Sequence, residues 1–207
     1  MTIRGVFFDF GGVLYRTPAL SWMRRWQSLL GMGRDPTISA MLLTPDESPY
    51  FLALMEGRIP ESDMWQRMSQ AGRISPVLVR WLQRNSMNKR RLNRAVVRYL
   101  AALRPRFRTG ILSNAGSDAR RSFTGVFGFD RLVDTLVISA EEGSAKPDEH
   151  IYRVALERLG VAPEETVFLD DLAVNVAAAC KLGIHAVHFQ DTRQALAEID
   201  VLLDGHH

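Results

Sequence analysis

The chain has 207 residues, 46% of them apolar and 24% charged, with a formal net charge of +3. That length fits one domain or one domain with a modest insert, and the composition supports a full core rather than a disordered chain. The longest apolar runs are too short to cross a bilayer, and the N-terminus opens on a strand pattern rather than a basic-then-apolar leader, so a cytoplasmic protein without a membrane partner is expected.

Residues 3–8 (IRGVFF) predict a buried strand near the N-terminus. Asp9 closes it, and Phe10-Gly11-Gly12-Val13 follow at once. A carboxylate at the C-terminal end of a strand sits where parallel α/β sheets place their ligands. The glycines permit a sharp turn and bring N–H groups close to a bound anion. Taken alone, the same residues also describe a strand end with its turn.

Residues 16–91 read as helices with turn punctuation, over about 20–30, 50–55, 61–70 and 76–84. Trp22, Trp26, Trp65 and Trp81 all fall here, and aromatics at helical spacing predict a small core. Pro36, Pro45, Pro49, Pro60 and Pro76 mark the turns. Lys89, Arg90 and Arg91, with Arg94 and Arg98, form a basic cluster. A solvated face at a helix start accounts for them, so no nucleic-acid partner is expected.

From residue 92 onward helices and strands alternate. Strands are predicted at about 109–113, 135–139, 166–170 and 185–189, and helices at about 92–104, 117–126, 148–160, 172–182 and 192–203. This alternation predicts an α/β fold, a Rossmann-like doubly wound parallel sheet covered on both faces. The second strand ends in Ser113-Asn114, the loop Gly143-Ser144-Ala145-Lys146-Pro147 precedes a helix, and the fourth strand ends in Asp170-Asp171. Strand ends of a parallel sheet share one edge, so these distant residues can converge with Asp9. A carboxylate, a hydroxyl, an ammonium and a carboxylate pair suit a phosphate ester and a divalent cation. Adjacent carboxylates at a strand end can also simply cap the next helix. Cys180, the sole cysteine, excludes an intrachain disulfide and is expected to pack as a small apolar side chain.

In this order and spacing, FFDFGGVL, LSN, AKP and FLDD resemble the four motifs of the haloacid dehalogenase superfamily, and EGRI at 56–59 looks like a cap signature of its phosphatase-like branch. The resemblance implies a sheet ordered third-second-first-fourth-fifth. It also implies a core of residues 1–15 and 92–207 and a helical cap of residues 16–91, hinged near 15–17 and 86–92. It implies that Asp9 is a nucleophile forming an aspartyl-phosphate. Asp9, the Gly11 carbonyl, Asp171 and Asp170 would hold Mg²⁺, with Asp170 either a ligand or a partner that orients one. Lys146 would supply charge between Asp9 and the phosphoryl group. Gly12, the Ser113 hydroxyl and the Asn114 N–H would bind phosphate. Arg16 would reach an anionic substrate group, or be a surface or hinge arginine. Asn175 would steady the metal loop. The implied partner is a small phosphorylated metabolite, and the chain is expected to act as a monomer or homodimer.

One departure stands out. Phosphatases of this family usually carry a second Asp two positions after the nucleophile, and here that position is Gly11. Losing a general acid–base group costs roughly 10²–10⁴-fold in rate. Four readings follow: a phosphatase limited to good leaving groups or using an acid from elsewhere, a 2-haloacid dehalogenase, a phosphate-binding regulatory module with little turnover, and a phosphotransferase.

Overall fold

The strands at the centre of the molecule, all but the partly buried edge strand His185–His188, carry runs of Val, Ile, Leu and Phe, the composition of strands buried on both faces. In the computed structural model, which describes residues 2–16, 35–44, 48–72, 75–85 and 87–205, they are β1 (Gly5–Phe8), β2 (Arg108–Ser113), β3 (Thr135–Ile138), β4 (Thr166–Asp170) and β5 (His185–His188). All pair in parallel, in the order β3-β2-β1-β4-β5. This is the predicted order, and it makes β1 and β4 neighbours. Phe8 pairs with Leu169, and the Asp9 N–H donates to the Leu169 carbonyl at 2.8 Å. The ladder therefore runs out beside Asp9 on one strand and Asp170 on the next.

Side chains alternate between the two faces with the period of a strand. Val6, Phe8, Ile111, Ile138, Val167 and Leu169 pack on one face, with α5 (Arg94–Leu103) and α8 (Thr192–Asp204). Phe7, Leu112, Val137 and Phe168 pack on the other, with α6 (Glu149–Leu159) and α7 (Ala173–Lys181). On the first face the chain after β2 forms a short helical turn, Ala119–Arg121, that widens into a π-helical segment, Ser122–Phe127. The rings of Phe123, Phe127 and Phe129 gather there around Phe10, with the Phe10 and Phe123 centroids 4.3 Å apart. The residue after Asp9 is thereby anchored in the core, which fixes the start of the glycine loop.

Among the described residues, four α-helices lie between β1 and α5: α1 (Pro36–Leu43), α2 (Pro49–Met55), α3 (Glu61–Gly72) and α4 (Pro76–Asn85). They share a separate apolar cluster built on Ile38, Met41, Leu54 and Val79. The predicted helix over residues 20–30, with Trp22 and Trp26, lies outside the described residues. Trp65 packs against the cluster as expected, but Trp81 is 58% exposed. Helix α1 was not predicted. The Asp35 carboxylate accepts from the N–H groups of Thr37 and Ile38, and Pro36 takes the first helical position, where its missing N–H costs nothing. Pro36 thus starts a helix instead of marking only a turn. Cys180 corrects another expectation. It is exposed, because the inward positions of α7 are Asn175 and Ala179, and Cys180 follows Ala179 out of that stripe.

The chain leaves and re-enters the sheet layer side by side. Tyr15 and Leu92 form an antiparallel bridge, the Arg16 N–H donates to Arg91, and the Asn93 N–H donates to Leu14. Asn93 is buried; its amide donates to Thr192 Oγ1 at 2.9 Å, and its carbonyl oxygen caps α5 at the Val96 N–H. No helix among the described residues is long and apolar enough to cross a membrane. Because Asn93 ties this crossing to α8, Asn93→Ala is expected to lower the unfolding free energy by about 1–3 kcal/mol. A urea titration reads this, and an unchanged midpoint would contradict the tie.

Candidate active site

Asp9, Asp170 and Asp171 come together at the C-terminal edge of the sheet, each offering an oxygen within 4.8 Å of the others. Register explains the meeting. Asp9 follows β1, Asp170 ends the adjacent β4, and Asp171 is the next residue in the chain. Lys146, from the loop before α6, reaches into the same place. Its ammonium donates to Asp9 Oδ1 at 2.7 Å, to Asp170 Oδ2 at 2.6 Å and to the Leu112 carbonyl at 3.0 Å. Three acceptors use all three ammonium protons.

Asp170 is fully buried and fully engaged. Besides Lys146 it accepts from the Leu172 N–H at 2.8 Å, and the Asn175 amide lies 3.1 Å from both of its oxygens. Asn175 is held in turn, since its own carbonyl accepts from the Tyr152 hydroxyl at 2.9 Å. Asp171 is partly exposed, and its carbonyl lies 3.1 Å from His188 Nε2. The loop after Asp9 passes hard against the Asp171 side chain. A Cβ on Gly12, which has φ +77°, would fall 1.9 Å from Asp171 Oδ2. Both the backbone angle and the approach require glycine here.

Burial raises the Asp9 carboxyl to about 7; Lys146 opposes the rise, and Asp170 and Asp171 add to it. Asp171 is raised as well, by burial first and by Asp170 second. Burial works against the Lys146 ammonium, but Asp9 and Asp170 together outweigh it and hold it above its ordinary range. Three carboxylates facing one ammonium form a strongly negative pocket, the setting in which a proton or a cation is retained.

Ser113 ends β2 and is buried. Sequence reasoning assigned Asn114 a backbone role, and the side chain does something further. Its amide donates to the Lys146 carbonyl, and its oxygen accepts the Lys146 N–H, both at 2.8 Å. This reciprocal clamp fixes the lysine loop to the end of β2. Arg16 is exposed, and among the described residues nothing bonds its guanidinium. Surface hollows of about 380 and 460 Å³ lie elsewhere, and none of the three carboxylates or Lys146 lines them. The clamp by Asn114 has no local signature, because it joins segments that only the fold brings together. Asn175 lies only five residues after Asp170, and its place in the first turn of α7 points to this loop.

A family model described as haloacid dehalogenase-like hydrolase matches residues 3–183. Bifunctional epoxide hydrolase 2 of Rattus norvegicus is 28% identical over 97% of this chain, and the chain spans only 39% of that relative's length. A predicted HAD-like family hydrolase from Porphyromonas gingivalis superposes with a TM-score of 0.79 at 26% identity, covering 99% of both chains. A HAD family enzyme from Bacteroides thetaiotaomicron, solved with magnesium and inorganic phosphate, superposes with a TM-score of 0.73 at 18% identity, covering 93% of this chain and 98% of its own.

Removing the ammonium leaves two buried carboxylates facing each other. Lys146→Met is expected to cost about 3–5 kcal/mol of stability at neutral pH in metal-free buffer. Equilibrium denaturation measures this, and a loss under about 1 kcal/mol would show that the bridge does not govern the site.

Proposed function

The chain belongs to the haloacid dehalogenase-like hydrolase family, and on that premise we propose that it is a Mg²⁺-dependent phosphatase acting on a small phosphorylated metabolite, with sugar phosphates as the class to try first. The observation that carries this reading is the trio of carboxylates within 4.8 Å, two of them bridged by Lys146. The fit to a cation is chemical. Hard carboxylate oxygens on a partly open rim suit Mg²⁺, which keeps several waters and takes a substrate phosphate oxygen. We assign Asp9, Asp171 and the Gly11 carbonyl to holding it. Asp170, already engaged by Lys146, Asn175 and Leu172, would act beside these ligands by orienting the lysine. When bound, the ion neutralises charge on the phosphoryl oxygens.

The protein's own groups do the rest. Asp9 attacks phosphorus and carries the phosphoryl group as an acyl phosphate until water releases it. Lys146 favours the ionised form of Asp9 against its burial and aims it, and its charge faces the transferring group. The Ser113 hydroxyl and the N–H groups of Gly12 and Asn114 are the donors we assign to the remaining phosphate oxygens. Arg16, at the surface where the chain leaves the core, is assigned to an anionic group on the substrate. We read residues 1–15 and 92–207 as the core and residues 16–91 as a cap. The paired crossing at Tyr15–Leu92 and the separate cluster around Ile38 and Leu54 support that division. The cap closing over the sheet edge would exclude water and select the substrate.

A 2-haloacid dehalogenase is the second reading, and Gly11 is what favours it: halide departs without a proton, so an absent acid does not hinder it. Against it stands the Asp170–Asp171 pair, which a metal-free reaction would leave poorly balanced. A phosphate-screen panel decides. Wild type is expected to release phosphate with Mg²⁺, to lose that activity in excess chelator and to regain it on adding Mg²⁺. Asp9→Asn is expected to fall to background. Chloride release from 2-chloropropionate in chelator would instead establish the dehalogenase. Tight phosphate-ester binding without Asp9-dependent turnover would establish a binding module.

A further inference from the structure

On the phosphatase reading, Gly11 leaves the departing oxygen without a proton donor from the loop after β1. The helical segment meets the core at two glycines. Gly57, with φ +69°, comes so near Ala140 that a Cβ would lie 2.1 Å from its carbonyl oxygen. Gly116 lies under Glu61, and a Cβ there would lie 2.7 Å from both Glu61 Cγ and Oε1. Ala140 follows the end of β3 by two residues, and Gly116 follows Asn114 by two. Both contacts are therefore on the strand-end edge that carries Asp9, and Glu61 comes to rest on the loop that holds Ser113 and Asn114.

Glu61 is the first residue of α3. It is half-buried, and among the described residues no hydrogen bond or ion pair engages its carboxyl. The charged groups facing it are Asp118 and Arg121, both from the core. Burial first and Asp118 second push it upward, and Arg121 pulls the other way. An ordinary first-turn glutamate stays ionised with help from the helix dipole. Packing against Gly116 and Asp118 opposes that help and favours the protonated form, the form a general acid needs.

We propose that Glu61 is the proton donor to the leaving oxygen, delivered from the cap side of the seam in place of a side chain at position 11. As the Asp9 oxygen bonds to phosphorus, the bond from phosphorus to the leaving oxygen breaks. That oxygen keeps the electron pair and takes the Glu61 proton, giving an alcohol and a Glu61 carboxylate. Water then attacks phosphorus, the Asp9–phosphorus bond breaks, and Glu61 recovers its proton from the water. Gly116 is the residue that leaves room for this side chain.

Leaving-group dependence tests it. The probes are 4-nitrophenyl phosphate, whose leaving group departs without a proton, and glycerol 1-phosphate, whose leaving group needs one. In Glu61→Gln, kcat/KM for glycerol 1-phosphate, which reads the steps up to departure of the leaving group, is expected to fall about 100-fold or more, while kcat/KM for 4-nitrophenyl phosphate stays within about threefold. Glu61→Asp is expected to recover part of the loss, and thermal melts of both variants show whether they fold. An equal fall of kcat/KM on both substrates, no fall on either, or a wild type that hydrolyses only 4-nitrophenyl phosphate overturns the assignment and leaves the phosphatase reading standing. A wild type with no Asp9-dependent release from any phosphate ester overturns both.

Discussion

The Lys146 ammonium, shared between Asp9 and Asp170, is the interaction on which the rest of this structure depends. Its side chain is 1% exposed and that of Asp170 is fully buried. Charges so far from water persist only when paired and fully hydrogen-bonded. The pairing here is complete for Asp170 and Lys146 and incomplete for the site as a whole. Three carboxylates meet one ammonium, and the remainder falls on Asp9 and Asp171, the two whose acid forms are favoured by burial and by their neighbours. A site of this kind settles its excess negative charge by taking up a proton or a cation. That choice links electrostatics to the proposed use of Mg²⁺.

The fold serves this arrangement through connections between loops. β1 and β4 lie side by side and bring the carboxylates to one edge. The Asn114 clamp attaches the lysine loop to β2, and Asn175 with Tyr152 holds Asp170 from α7 and α6. The Phe10 ring cluster anchors the glycine loop, and Gly12 lets that loop pass beside Asp171. Each loop is held by packing or hydrogen bonds to other elements, so the fold itself positions the site's side chains.

Much of this was legible in the residues themselves. The inner strands are short apolar runs whose burial leaves little room for misreading, and the chemistry-bearing residues sit at their ends. Helix α1 has no distinctive signal, because Asp35-Pro36 describes a turn and a capped helix start equally well. Cys180 was misplaced because an alanine-rich helix carries no strong apolar stripe to orient it. Asp170 and Asp171 look alike in sequence. Their different roles come from Lys146, which reaches Asp170 across the fold and could not be assigned from spacing, and from Asn175, five residues on, whose amide turns to Asp170. The contact between Glu61 and Gly116 is of the same kind, joining residues 55 positions apart.

The central claim is that this carboxylate edge does covalent chemistry at Asp9. The direct measurement is a rapid acid quench during turnover of a phosphate ester, followed by peptide mapping for the trapped phosphoryl group. The account predicts an acid-stable, base-labile phosphoryl group on Asp9, present with Mg²⁺ and absent in chelator. Turnover with no phosphoryl group on Asp9, or with one trapped on another residue, would contradict it.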